Sequence, residues 1–63
     1  MGKGRNIAKL RREQSLTQKE LAERVWISVS YLSRIEEGKC SRPHAKTLSR
    51  IAVALNVSID ELD

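Results

Sequence analysis

Apolar residues recur at intervals of three and four along most of the 63-residue chain. The clearest case lies within a predicted helix over about residues 44–55, where the spacing i, i+3, i+4, i+7 places four apolar side chains on one face. Those four are Leu48, Ile51, Ala52 and Leu55. Three earlier helices carry shorter stripes. The first helix, over residues 5–14, has Ile7, Leu10 and Gln14 along one side. The second has Leu21, Ala22 and Val25, and the third has Leu32 and Ile35. Because no alternating strand pattern occurs, the chain is predicted to be all-α.

Capping residues separate these helices. Thr17 and Glu20 have the spacing of a capping box at the start of the second helix. Ser28 is the predicted N-cap of the third helix, and Gly38 its left-handed end. The fourth helix is predicted to end in a left-handed turn at Asn56, and a second capping box to open a short fifth helix, formed by Ser58 and Glu61.

Only a few residues around "VWIS" join the second and third helices. The stripes of both helices, together with Ile27, must therefore share one core, so the two helices are predicted to cross steeply. This is the helix-turn-helix arrangement, in which the second helix of the pair is free to enter the major groove of DNA.

Charge is distributed unevenly along the chain, whose net charge is +4 with a pI of about 9.7. Residues 1–26 contain seven basic and three acidic residues, and residues 27–50 contain five basic and two acidic residues. Residues 51–63 contain no basic and three acidic residues. A basic body with an acidic end is consistent with a polyanionic partner on one side. Ordinary solubilising charge explains the composition equally well.

Several classes of function lack support in the composition. One cysteine (Cys40) excludes an intramolecular disulfide, and together with the one histidine (His44) it cannot make a four-ligand zinc site. No catalytic pair of side chains stands out, and no cofactor or small-molecule ligand is indicated. No apolar run approaches the roughly 18 residues of a membrane span. We therefore expect a cytoplasmic protein that is not an enzyme and has no membrane partner.

Two segments, "LTQKELAERVWISVSYLSRIEEGK" and "RPHAKTLSRIAVALNVSIDEL", resemble the Cro/CI-type helix-turn-helix regulators, also called the Xre-like family. The resemblance extends from about Ile7 to Leu62, and its motifs occur in family order and spacing. It implies a compact five-helix, lambda-repressor-like DNA-binding domain over residues 1–63, with residues 1–4 disordered.

The resemblance also implies roles for individual residues. It places Val29, Ser30, Ser33 and Arg34 at base edges, and it places Gln18, Tyr31, Lys39, Ser41 and Arg42 at or near phosphates. It further implies a structural ion pair between Arg11 and Glu36. Side-chain chemistry agrees, since arginine suits guanine and lysine suits phosphate. A plain solvent-facing role stays open for Arg34, Lys39 and Arg42, a helix-start role for Gln18, and a core-edge role for Tyr31.

Two positions depart from the family pattern. Trp26 stands in the turn between the second and third helices, and Ser15 follows the first helix, where the family commonly has glycine. We expect Trp26 to be partly buried against its own turn, with one ring edge in solvent.

The predicted function is sequence-specific binding of double-stranded DNA by a transcriptional regulator, most simply a repressor on a palindromic operator. A weak homodimer is predicted through the C-terminal segment "VSIDELD". One alternative is a helix-turn-helix interaction module without DNA binding, in which Trp26 anchors a partner. Another is that the chain is the DNA-binding domain of a longer regulator or an antitoxin.

Overall fold

Residues 3–40 and 43–62 are described by the computed structural model, and within them the chain forms four α-helices and one 3₁₀ helix. The α-helices are α1 (Lys3–Glu13), α2 (Gln18–Val25), α3 (Val29–Glu36) and α4 (Ala45–Leu55), and the 3₁₀ helix comprises Ile59–Leu62. These ranges contain no strand, in agreement with the all-α prediction.

The prediction of a fifth α-helix is wrong, because Ile59–Leu62 forms only a single 3₁₀ turn. The Glu61 N–H donates to the Ser58 carbonyl at 3.0 Å, which is the i to i+3 bond of this tighter helix. The predicted capping box is half formed. The Ser58 N–H donates to the Glu61 carboxylate (2.9 Å), but the Ser58 hydroxyl also points to that carboxylate (3.4 Å) instead of accepting from the backbone. Four residues are too few to establish an α-helical ladder.

The other helices begin close to their predicted starts. α1 begins at Lys3, two residues earlier than predicted, and α4 begins at Ala45 after His44, whose side chain makes no capping hydrogen bond. The predicted capping box of α2 is present in full, with the Thr17 hydroxyl accepting from the Glu20 N–H and the Glu20 carboxylate accepting from the Thr17 N–H. Of residues 1–4, which were expected to be disordered, Lys3 and Gly4 belong to α1, and residues 1 and 2 lie outside the described residues.

All four α-helices end in the same way. A residue with positive φ follows each helix, namely Ser15 (59°), Trp26 (63°), Gly38 (78°) and Asn56 (60°). The next residue then donates its N–H to the carbonyl five positions back, over 2.9–3.0 Å, which is the Schellman ending: Leu16 to Arg11, Ile27 to Ala22, Lys39 to Arg34, and Val57 to Ala52. The left-handed turns predicted at Gly38 and Asn56 are confirmed. Ser15 and Trp26 adopt the same conformation without glycine, at about 1–2 kcal/mol each.

The predicted apolar stripes meet in one core. Its buried members are Ile7, Leu16, Leu21, Ala22, Val25, Leu32, Ile35, Leu48, Ile51, Ala52, Leu55 and Leu62, with Leu10 and Ile27 partly buried beside them. Gln14 is exposed, but its side-chain amide donates to the Leu55 carbonyl at 2.6 Å and so links α1 to the end of α4. Leu16 and Leu62 were not predicted. Leu62 is fully buried, and the 3₁₀ helix that carries it packs on α1 and α4.

Candidate nucleic-acid interface

The helix α3 is attached to the rest of the fold by one face only. Its Leu32 and Ile35 are at most 1% exposed and belong to the core, where α3 packs on α1 and α2. Three residues (26–28) separate α2 from α3, and the Ser28 hydroxyl accepts from the Tyr31 N–H at 3.0 Å, which confirms Ser28 as the N-cap. The two helices therefore form the predicted helix-turn-helix, with the opposite face of α3 free.

Side chains on this free face differ in chemistry from those on the buried face. Val29, Ser30 and Arg34 are exposed, and Ser33 is half-buried between them and the core. The face thus combines a methyl-bearing side chain, two hydroxyls and a guanidinium within two helical turns. These groups match the features of a major groove, where thymine offers a methyl group and guanine offers two acceptors to arginine.

A buried polar cluster lies at the C-terminal end of α3. The Arg11 guanidinium donates to both carboxylate oxygens of Glu36, at 2.8 Å from Nε and 3.0 Å from Nη2, so the pair is bidentate. Its third nitrogen, Nη1, donates to the Leu16 carbonyl at 2.8 Å. The Gln18 amide nitrogen donates to Glu36 Oε1 at 2.9 Å. One carboxylate from α3 therefore accepts bonds from α1 and from the first residue of α2.

This cluster orients α3. The Arg11 and Glu36 side chains are only 9% and 5% exposed, so their charges are largely removed from water and depend on each other. The ion pair implied by the family resemblance is thus present. The bond from Gln18 was not predicted. Because the Gln18 amide already donates to Glu36 in the free protein, its contact with a DNA phosphate stays a prediction.

A second, exposed cluster follows directly in the sequence. The Glu37 carboxylate accepts from the Ser33 hydroxyl at 3.1 Å and pairs with Lys39 Nζ at 3.2 Å. The Lys39 and Ser33 side chains, in that order of strength, hold the pKa of Glu37 below its ordinary value. Both partners are residues predicted to contact DNA. Sequence reasoning missed Glu37, although its position four residues after Ser33 on an exposed helix face places the two side chains together.

The remaining predicted phosphate contacts are only partly described. Tyr31 is half-buried at the edge of the core, and its hydroxyl accepts from the His44 N–H at 3.4 Å, which connects α3 to the segment before α4. Lys39 is exposed immediately after Gly38. Ser41 and Arg42 lie outside the described residues. The contacts of these residues with DNA stay predictions.

Residues 3–40 and 43–62 show no metal site and no membrane-spanning helix. Within these ranges no three His, Cys, Asp or Glu side chains are arranged to hold a metal ion. Over the same residues no helix combines the length and apolarity needed to cross a membrane. Cys40 is a half-buried free thiol.

Comparison with known proteins identifies the family. The family described as Helix-turn-helix (HTH_3) matches residues 7–62, which include all of α2, α3 and α4. The chain belongs to the Cro/CI-type helix-turn-helix family. The resemblance predicted from the sequence is thereby confirmed.

Relatives of this helix-turn-helix chain carry the names of transcription regulators. It is 48% identical over 59 residues to an uncharacterised HTH-type transcriptional regulator, y4dJ, of Sinorhizobium fredii, with 94% of this chain and 75% of that protein covered. It is 37% identical over 59 residues to the immunity repressor protein of Bacillus phage phi105, with 94% of this chain and 40% of the repressor covered. The chain thus spans three quarters of the first relative and less than half of the second.

A solved structure shows the same arrangement of helices. The crystal structure of SinR, the master regulator for biofilm formation, in complex with DNA superposes on this helix-turn-helix chain with a TM-score of 0.90. The two are 33% identical, and the match covers 95% of each chain.

Proposed function

We propose that this domain binds double-stranded DNA sequence-specifically, with α3 in the major groove, and that it represses transcription by occupying its site. The observation that carries the proposal is the exposed face of α3. Val29, Ser30 and Arg34 are presented to solvent by a helix whose other face is buried. Base readout needs side chains held in fixed positions, and the Arg11–Glu36–Gln18 cluster supplies that constraint at the far end of α3.

Charge near α3 supports the proposal further. The net charge of the chain is +4, and Lys39 follows α3 where a phosphate backbone would pass beside a helix in the groove. Binding by a domain of this size at a promoter is sufficient to exclude polymerase, so repression requires no further activity. The phage relative that is named an immunity repressor agrees with this assignment.

We further propose that the domain binds as a weak symmetric dimer through its C-terminal segment. In that case the operator contains two inverted half-sites about one helical turn apart, roughly 34 Å. The acidic, solvent-exposed Asp60 and Glu61 lie in this segment, on the 3₁₀ helix and not on α3.

Selection of bound duplexes from a random pool tests the proposal. We expect enrichment of one half-site in inverted repeat, and we expect lower transcription from a promoter that carries the selected site when the protein is added. Failure to enrich any sequence would remove sequence-specific binding. Enrichment of a single, unpaired half-site at all protein concentrations would remove the dimer and leave DNA readout in place.

The alternative function is an interaction module that does not bind DNA. The observation that favours it is the exposure of Trp26, a residue type that often anchors protein interfaces. Arg34 and Lys39 disfavour it, because a surface converted to protein binding has no use for cations at these two positions. If the protein retained no DNA duplex even at low salt, DNA binding would be excluded and this alternative would be favoured.

A further inference from the structure

An apolar groove lies between the α2–α3 turn and α4, and its lining includes no residue of α3. It encloses about 450 Å³ and is lined by Arg24, Trp26, Ser49, Arg50, Val53 and Ala54. Trp26 is 86% exposed and Val53 is 79% exposed. The prediction that Trp26 packs against its own turn is therefore wrong. Its left-handed backbone (φ 63°) directs the indole outward, where it forms one wall of the groove.

The groove combines an apolar surface with positive charge. Trp26, Val53 and Ala54 supply apolar area, whereas Arg24 and Arg50 are cations on its border. In the free domain most of the Trp26 and Val53 surface stays in water, and association with an apolar group would remove it. The matching surface must therefore present an exposed apolar side chain beside carboxylates.

The chain itself contains such a surface. Ile59 is 45% exposed at the start of the 3₁₀ helix and is followed by the exposed Asp60 and Glu61. Among the described residues, the exposed large hydrophobic side chains are Trp26, Val29, Val53 and Ile59, and Val29 lies on α3. Of the other three, Trp26 and Val53 line the groove, and Ile59 lies in the acidic segment. Ile59 does not line the groove of its own chain, so the two surfaces can meet only between copies.

We propose that the groove beside Trp26 binds the Ile59–Glu61 segment of a second copy of this chain. Ile59 would enter between Trp26 and Val53, with Asp60 next to Arg50. A groove-to-groove contact is disfavoured, because it would bring four arginines together. A two-fold axis would form the groove–segment contact twice, once in each direction. This inference supplies the contact surface for the dimer proposed above and rests on that dimer, but it does not depend on base readout.

Trp26 is the only tryptophan in the chain, so its fluorescence reports directly on the groove. In the absence of DNA, we expect the emission maximum to move to shorter wavelength as the protein concentration rises from micromolar to near millimolar. The weight-average mass from sedimentation should rise over the same range. An unchanged emission and mass over this range would overturn the inference, as would an emission change that appears only when DNA is added.

Three variants locate the contact. Trp26→Gly suits the left-handed backbone, so it removes the anchor and preserves the turn, and we expect association to weaken by about tenfold or more. Arg50→Glu and Asp60→Arg should each weaken association by a few fold, on the order expected for exposed ion pairs. The double variant Arg50→Glu/Asp60→Arg should recover most of the loss. Lys19→Glu, an equal charge change at an exposed α2 residue outside the groove, serves as the matched control.

The variants also separate this inference from the proposed DNA binding. Affinity for an isolated half-site, on which one copy binds, should be the same in Trp26→Gly as in the wild type. A double charge reversal that associates no better than the weaker single variant would overturn the contact while leaving half-site binding intact. If the wild-type protein did not bind a half-site, the proposed function would be overturned. Self-association would still be tested by sedimentation.

Discussion

Glu36 and Glu37 are adjacent glutamates at the end of α3, yet their surroundings give them different roles. The Glu36 side chain is 5% exposed and accepts from Arg11 and Gln18, whereas the Glu37 side chain is 52% exposed and accepts from Ser33 and Lys39. Each carboxylate therefore has two side-chain partners. The partners of Glu36 join three helices, but those of Glu37 lie within six residues of one another.

Burial is the physical difference between the two clusters. A largely buried charge that loses its partner is left without water to solvate it, so the loss is large. An exposed charge that loses its partner is solvated at once, so the loss is small. We infer that the Glu36 cluster maintains the fold and the orientation of α3. We infer that the Glu37 cluster instead restrains the side chains of Ser33 and Lys39, both of which are predicted DNA contacts.

The largest expected effect comes from Arg11→Met, which leaves the Glu36 carboxylate buried without its cation. We expect the free energy of unfolding to fall by about 3–5 kcal/mol, which is most of the stability of a domain of this size. Urea unfolding followed by circular dichroism measures it. Arg12→Met, at the exposed neighbouring position, is the control and should change stability by less than about 0.5 kcal/mol. Equal unfolding midpoints for Arg11→Met and wild type would contradict the comparison.

A smaller loss is expected from Gln18→Met, which keeps the length of the side chain but removes the bond to Glu36. Hydrogen bonds to charged groups contribute about 1.5–3 kcal/mol, and the bidentate Arg11 partner remains, so we expect about 1–2 kcal/mol. The same urea titration tests this, with Lys19→Met as the exposed neighbouring control. If Gln18→Met were as stable as Lys19→Met, Gln18 would not belong to the structural cluster.

Glu37→Gln should leave the fold intact and change DNA binding. Removing the carboxylate frees Lys39 and removes a negative charge near the phosphates, so we expect affinity for duplexes of any sequence to rise by a few fold. Binding titrations on the selected site and on an unrelated duplex measure this. A decrease in affinity for the selected site alone would mean that Glu37 reads a base instead of restraining its neighbours.

The smallest expected effect is the pH dependence of the Glu37 cluster. Lys39 and Ser33 hold the folded-state pKa of Glu37 below its ordinary value of 4.5, so the carboxylate binds protons less readily folded than unfolded. Its contribution to stability is therefore fully present above the ordinary pKa and is lost as the pH falls through the folded-state pKa. The difference in unfolding midpoint between wild type and Glu37→Gln should shrink below pH 4.5. A difference that grew on acidification would contradict this assignment.

Local signals in the sequence predict most of the fold. The apolar stripes that begin at Leu21 and Leu48 identify helices and core residues, and the caps at Thr17 and Ser28 place the starts of α2 and α3. Each of these signals depends only on residues that are close together in the sequence. The 3₁₀ helix was misassigned because a capping sequence shows where a helix begins and not whether enough residues follow. The exposure of Trp26 was missed because it depends on the backbone direction at a left-handed turn, which composition does not show.

Less of the candidate site than of the fold can be predicted from the sequence. The spacing of the buried Leu32 and Ile35 predicts that Ser30 and Arg34 lie on the exposed face of α3, and the family resemblance supplies the Arg11–Glu36 pair. Neither reveals that Gln18 donates to Glu36, because the two residues are 18 positions apart and meet only when α2 and α3 cross. The sequence does not indicate a role for Glu37, because an acidic residue is not expected to contact DNA. Its role follows only from its contacts with Ser33 and Lys39, two predicted DNA contacts.

The most direct test of the account compares Arg34→Ala with Lys39→Ala on the selected site and on every single-base variant of one half-site. Arg34→Ala should weaken the preferred site by about 1–3 kcal/mol and relax discrimination at one base pair, because the guanidinium lies one turn beyond Ser30 on the exposed face of α3. Lys39→Ala should weaken all sequences alike and reduce the salt dependence by about one ion. Equal, sequence-independent losses in both variants would contradict base readout through α3, and no loss in either would contradict DNA binding by this surface.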